Sequence, residues 1–184
     1  MIDLSLRTEL KSKLANASCK IGITVSEEQS ELLIQYLELL IKWNKAYNLT
    51  AIRDPEEMFI KHIIDSLSIA PFIQGESILD VGTGPGLPGI PMAIMFPSKR
   101  FSLLDSNGKK TRFLIEARLQ LKLENISIHT ERVEHFAPDE AYDGILSRAF
   151  ASLLDMVNGC EKHLAPDGKL YAMKGVFPDT ELSQ

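Results

Sequence analysis

Apolar residues recur at helical intervals through the first third of the chain, then give way from Ser77 to short apolar runs spaced by helix-length stretches. In the first part, Ser26-Glu27-Glu28-Gln29 has the spacing of a capping box. Leu32, Leu33, Tyr36, Leu37, Leu40 and Trp43 follow on one broad face, predicting a helix that runs to about Tyr47. Asp54-Pro55-Glu56-Glu57 predicts a second helix start, because Asp caps, Pro suits the first helical position and early acids favour the positive end of the dipole. Phe59, Ile63, Leu67 and Ala70 supply its buried stripe.

The second pattern is that of a mostly parallel sheet covered on both faces. Five strands are expected at 77–81, 100–105, 126–130, 142–148 and 169–174. Helices should start near Leu87, Gly108 and Ser152, with a short irregular segment near Glu134. The fold class is therefore α/β. An N-terminal helical extension (1–72) packs on a Rossmann-like core (73–184) in this reading.

Length and composition narrow the function. At 184 residues and 45% hydrophobic, the chain suits one sizeable core with a short appendage. The opening residues alternate charged and apolar, and no run of about 18 apolar residues occurs, so a cytoplasmic protein without membrane attachment is expected. A monomer is expected as well. Cys19 and Cys160 lack a Cys-x-x-Cys partner or a histidine at ligand spacing, so both read as reduced, semi-buried residues with no metal site. The net charge of −5 opposes general attraction to phosphate backbones, and an RNA site must then be a local basic patch.

The densest chemistry lies in Ile78-Leu79-Asp80-Val81-Gly82-Thr83-Gly84-Pro85-Gly86-Leu87-Pro88-Gly89, a strand emptying into a glycine-rich turn. Gly82, Gly84 and Gly86 permit a tight turn and close backbone approach to a ligand at the strand's carboxyl end. Gly84 to Gly89 also satisfies G-x-G-x-x-G, with Asp105 about 20 residues on, so a nicotinamide dinucleotide is one candidate ligand. Against it, Pro85 and Pro88 remove two backbone donors where a pyrophosphate would sit, and Asp80 adds negative charge. S-adenosyl-L-methionine, with a sulfonium, an ammonium and no phosphate, fits better. Asp80 is the candidate for its cationic end and Asp105 for both ribose hydroxyls.

With Lys42-Trp43-Asn44-Lys45-Ala46-Tyr47-Asn48-Leu49-Thr50, His62-Ile63-Ile64-Asp65-Ser66 and Ser147-Arg148-Ala149-Phe150, the chain resembles the glucose-inhibited division protein B family, the ribosomal RNA small subunit methyltransferase G enzymes. The resemblance runs from roughly Leu32 to Lys174. It implies a class I S-adenosylmethionine-dependent methyltransferase fold and methyl transfer to N7 of a guanine in 16S rRNA, acting on the small ribosomal subunit or an assembly intermediate. Carried over residue by residue, it implies cofactor contacts at Gly82, Leu87, Val133, Glu134 and Arg148.

The chemistry is consistent with that acceptor. Ser147-Arg148-Ala149-Phe150 stands where enzymes that methylate amino groups often carry an Asp/Asn-Pro-Pro-aromatic motif, and Cys160 has no activating neighbour in sequence. Guanine N7 already offers a lone pair and has no proton to remove, so no proton-transfer residue is assigned. Arg148 is the orienting candidate. Arg53, Lys109, Lys110, Arg112 and Phe150 are the candidates for RNA, the three α-helical cations because they stand at a helix start that disfavours positive charge. His62, Asp65 and Ser66 lie on one helix without a G-x-S-x-G elbow, so they do not read as a hydrolase triad; Asn48, Arg53, His62 and Asp65 instead shape the junction between the N-terminal helices and the cofactor mouth.

A complete fold of this class has seven strands, whereas five are expected here, so the core reads as lacking its last strands. A small-molecule or protein methyltransferase of the same fold and a non-catalytic cofactor-binding module stay open as alternatives.

Overall fold

The computed structural model describes residues 2–150 and 152–182. Helix α1 (Leu4–Ile21) is capped by the Asp3 side chain and ends on left-handed Gly22. Helix α2 (Glu27–Tyr47) starts with the expected capping box, both Ser26 and Gln29 bonding back to the chain. Charge fixes how these two helices pair. Arg7 bridges Glu31 and Glu38, and Lys11 bridges Glu27 and Glu31.

Asp54 caps α3 (Pro55–Met58), as its sequence predicts. The chain then widens into a π-helical stretch, Phe59–Ile64, before α4 (Asp65–Leu67). That stretch departs from the single regular helix implied by the apolar stripe, although Phe59, Ile63, Leu67 and Ala70 are all buried.

Among the described residues five parallel strands follow, β1 (Ser77–Val81), β2 (Arg100–Leu104), β3 (Ile126–His129), β4 (Tyr142–Ser147) and β5 (Leu164–Ala172), in the order β3-β2-β1-β4-β5. Between them lie α5 (Gly89–Met95), α6 (Gly108–Leu121) and α7 (Leu153–Cys160), and α8 (Asp179–Leu182) follows the sheet. Two boundaries differ from expectation. Helix α5 starts at Gly89 instead of Leu87, because Gly86 and Leu87 both donate to the Thr83 carbonyl and the turn uses those residues. Strand β5 starts at Leu164 instead of Lys169; Ala165-Pro166-Asp167-Gly168 looks like a turn in sequence but is absorbed by an irregularity opposite Tyr142 and Gly144.

Successive residues of β1 show why both faces are apolar. Ile78 joins a large core with Leu10 and Leu14 of α1, Leu33 and Leu37 of α2, and Phe113 of α6, whereas Leu79 joins a smaller cluster with Ile145, Met156 and Cys160. Neither cysteine is semi-buried. Cys19 is exposed on α1, while Cys160 is fully enclosed and burial pushes its thiol up to about 11. Among the described residues no helix is long and apolar enough to cross a membrane, and no group of His, Cys, Asp and Glu stands ready to hold a metal ion.

Candidate functional site

The carboxyl ends of β1, β2 and β4 meet around the glycine turn. Gly82, Gly84 and Gly86 take φ of +68°, +63° and +99°, backbone that side-chain-bearing residues rarely adopt. A Cβ on Gly82 would also stand 2.4 Å from that of Ala149. The turn is pinned to β2, since the N–H groups of Gly82 and Thr83 both donate to the Leu104 carbonyl.

Asp80 lies beneath this turn with no surface open to solvent. Its Oδ2 accepts from Thr83 Oγ1 at 2.6 Å and from the Gly89 N–H at 2.8 Å, while Oδ1 has no hydrogen-bond partner among the described residues. Burial dominates those bonds and pushes its carboxyl up to about 6. Its placement makes Asp80 an anchor of the turn; it does not line the cleft.

Asp105 is differently placed, at the end of β2 facing the turn. Its Oδ2 accepts from the Gly84 N–H at 2.9 Å and its Oδ1 from the Asn107 N–H at 2.8 Å, with Lys110 Nζ at 3.6 Å. Each oxygen keeps a further lone pair. From the other side, the fully buried Tyr36 of α2 donates its hydroxyl to the Pro85 carbonyl at 2.8 Å.

A cleft of about 220 Å³ lies between the glycine turn, Leu49-Thr50, His62 and Arg148-Ala149. Buried Asn44 builds one wall by accepting from the Thr50 N–H and donating to the Ile52 carbonyl. Thr50 Oγ1 sits 2.9 Å from His62 Nε2, and burial, followed by the nearby Arg148 charge, lowers the His62 pKa. Arg148 donates to Asp65 at 2.8 Å. The end of β4 is held by Ser147, whose hydroxyl donates to the Val81 carbonyl and accepts from the Ala149 N–H.

The sequence candidates thus divide. Gly82, Gly84, Leu87 and Arg148 line the cleft, and Gly86 and Asp105 shape the turn. Val133 and Glu134 lie outside that wall. The Val133 carbonyl meets His163, the Glu134 carbonyl accepts from Lys162, and the Glu134 side chain is exposed. Phe150 packs with Val133 in the smaller apolar cluster, and its ring lies 3.4 Å from where a Gly159 Cβ would stand, so packing accounts for it. Arg53 rests on Asn48 Oδ1 at 2.6 Å, and Lys109 and Arg112 are exposed.

Sequence reading missed the contributions of Tyr36, Asn44, Thr50 and Thr83. Tyr36 is hidden in an apolar stripe, where its hydroxyl was the one available signal. A larger hollow, about 790 Å³, lies over β2 and β3, where the β3–β4 connection carries no helix. It is lined by Ser102, Ser127, His129 and Tyr142, away from the glycine turn, and size alone does not make it the site.

Known proteins resemble this chain over most of its length. The family model described as GidB, rRNA small subunit methyltransferase G, matches residues 29–184. A "Ribosomal RNA small subunit methyltransferase G" of Saccharophagus degradans is 54% identical over 172 residues, 94% of this chain and 77% of the relative. The protein of that name from Vibrio cholerae is 53% identical over 175 residues, 95% of this chain and 83% of its own length. Among solved structures, coclaurine N-methyltransferase bound to N-methylheliamine and SAH superposes with a TM-score of 0.54 at 17% identity, covering 91% of this chain and 57% of that one. A precorrin-6y C5,15-methyltransferase from Geobacter metallireducens gives 0.52 at 16%, covering 75% and 70%. At those identities the likeness is one of fold.

Proposed function

Because this chain belongs to the rRNA small subunit methyltransferase G family, we propose that it methylates N7 of a guanine in small-subunit (16S) ribosomal RNA, with S-adenosyl-L-methionine as methyl donor. The observation that carries the reading is the positive-φ glycine turn, packed so closely against Ala149 at Gly82 that no Cβ fits, with the Asp105 carboxylate bonded to Gly84 and Arg148 on the cleft wall.

The residues present suit that donor. Asp105 has lone pairs left for two ribose hydroxyls, each worth roughly 0.5–1.5 kcal/mol net. The positive-φ turn leaves backbone open to close approach. Beneath it the unpartnered Asp80 Oδ1 keeps negative potential under the cationic end without direct contact. When bound, S-adenosyl-L-methionine supplies a methyl group on a sulfonium.

The chain's own work is then positioning and desolvation. N7 brings its own electron pair, so no side chain has to take a proton. Arg148, aimed by Asp65, orients ligands at the cleft mouth, and the walls from Thr50 and His62 exclude water from a small volume. Arg53, Lys109, Lys110 and Arg112 are the candidates for meeting phosphates of the RNA beyond the cleft.

The test is transfer of labelled methyl to unmethylated small-subunit rRNA, naked and in assembled subunits, followed by borohydride and aniline cleavage at 7-methylguanine. Label released at one guanine is expected. Label on small acceptors, on protein or on an exocyclic amino group overturns the reading.

A further inference from the structure

The cations of this acidic chain are unevenly neutralised. On the side where α1 meets α2, Arg7, Lys11 and Lys13 are all paired with glutamates. On the other side, where α2 packs against α6, no carboxylate among the described residues comes within 4 Å of Lys42, Lys45, Lys109 or Arg112. All four are exposed. The helix α6 stretch 108–122 carries five cations and one acid, Glu116, in a chain whose net charge is −5.

An aromatic step stands in the same place. Tyr47, 44% exposed at the last residue of α2, stacks on Trp43 with centroids 4.9 Å apart and planes 25° apart. Trp43 in turn meets the buried Phe113 of α6 edge-on at 5.7 Å, which fixes the stack to the core. Phe113 directly follows Arg112 and lies one turn beyond Lys109, so both cations stand on the same turns of α6 as the ring that holds the stack. Lys42 and Lys45 border the α2–α6 seam beside Gln120 and Leu121. Lys110, half-buried between this face and the glycine turn, joins the two through Asp105.

Unpaired positive charge with an anchored, half-exposed aromatic ring is the chemistry of a single-stranded nucleic acid platform. Phosphates take the cations, and an unpaired base takes the ring. We propose that the α2–α6 face grips a single-stranded segment of the acceptor RNA, with Lys42, Lys45, Lys109 and Arg112 on its phosphates and Tyr47 stacking on one base. This rests on the reading that the acceptor is ribosomal RNA and assigns a docking surface outside the cleft. A net-negative chain needs such a concentrated patch to hold RNA at all.

Trp43 is the sole tryptophan, so the surface reports on itself. Titrating an unmethylated small-subunit rRNA transcript should quench its emission. K42Q/K45Q should raise the RNA Kd on the order of tenfold and flatten the log Kd against log salt slope by about 1.4, roughly 0.7 for each single-strand contact removed. Y47A should lose the quench and weaken binding, and Y47F, which keeps the ring, should restore both. K20Q/K169Q, altering two exposed lysines elsewhere, should leave the slope unchanged, and S-adenosylmethionine affinity should stay constant throughout as the check on folding. An unchanged slope in K42Q/K45Q, or equal binding of anionic phosphatidylglycerol vesicles and RNA at this face, overturns the proposal. Absence of methyl transfer to rRNA by the unaltered protein would instead overturn the functional reading beneath it.

Discussion

Arg148, just past β4, donates a 2.8 Å hydrogen bond to Asp65 on the short helix before β1, joining residues 83 positions apart across the mouth of the cleft. Both are partly exposed, so the pair adds at most about 1 kcal/mol to stability. Its effect is aim. D65A should leave unfolding nearly unchanged while calorimetry shows severalfold weaker S-adenosylmethionine binding, and R148A should weaken it further. If D65A binds as tightly as the parent, Arg148 holds its direction unaided.

Asp80 sets a pH dependence of definite sign. Its folded pKa of about 6 lies above the unfolded value near 3.8, so the folded protein binds the proton more tightly. Its contribution favours folding below pH 4 and is lost as pH rises through 6, by roughly 3 kcal/mol at 1.36 kcal/mol per unit. Urea unfolding of D80N should lack this decline, leaving a difference from the parent that grows between pH 4 and 7. Parallel stability curves for the two proteins would show that Asp80 titrates normally.

Two left-handed glycines separate strain from function. At Gly22, at the end of α1, a Cβ would meet no atom of the described residues within 4 Å, so G22A should cost about 1–2 kcal/mol and leave cofactor binding intact. Gly82 carries the same backbone demand and the 2.4 Å approach to Ala149. G82A should lose stability and, measured by calorimetry, most cofactor affinity; retention of full affinity would mean that the turn tolerates reshaping.

The Tyr36 hydroxyl is the one side-chain hydrogen bond from α2 to the glycine turn among the described residues. Y36F leaves the buried Pro85 carbonyl without that donor, a loss of about 1–3 kcal/mol. Thermal unfolding should show the loss, with weaker cofactor binding alongside. A fall in stability alone would confine Tyr36 to packing.

Thiol chemistry should distinguish the two cysteines. Cys19 is exposed and Cys160 is enclosed with its thiol pushed up to about 11. Ellman's reagent at pH 8 should titrate one thiol in the native protein and two after denaturation. Two rapid native equivalents would show that α7 opens easily.

What could be read from sequence was whatever is local. The Ser26–Gln29 box, the Asp54 cap and the strand–turn–helix from Ile78 to Gly89 each carry their signal within a few residues; the box, the cap and the strand stand where expected, and the helix begins two residues later than expected. The sequence places the start of β5 too late because Pro166 and Gly168 mimic a turn, although an irregular ladder with β4 accommodates both. The π-helical stretch left no mark, since Phe59 and Ile63 satisfy either helical spacing. For the site, residue type pointed to the glycines and to Asp105, which the fold brings together at the turn. It could not tell that Asp80 faces inward or that Arg148 meets Asp65, because those depend on which elements the fold stacks together.

The large core described above runs without a break from Leu10 and Leu14 through Leu33 and Leu37 to Ile90 and Phe101. The leading helices are thus structural partners of the sheet rather than a detachable accessory. Exchanging them for a different recognition module would uncover Ile90 and its neighbours, so retargeting this scaffold to another acceptor requires interior repacking together with any new surface.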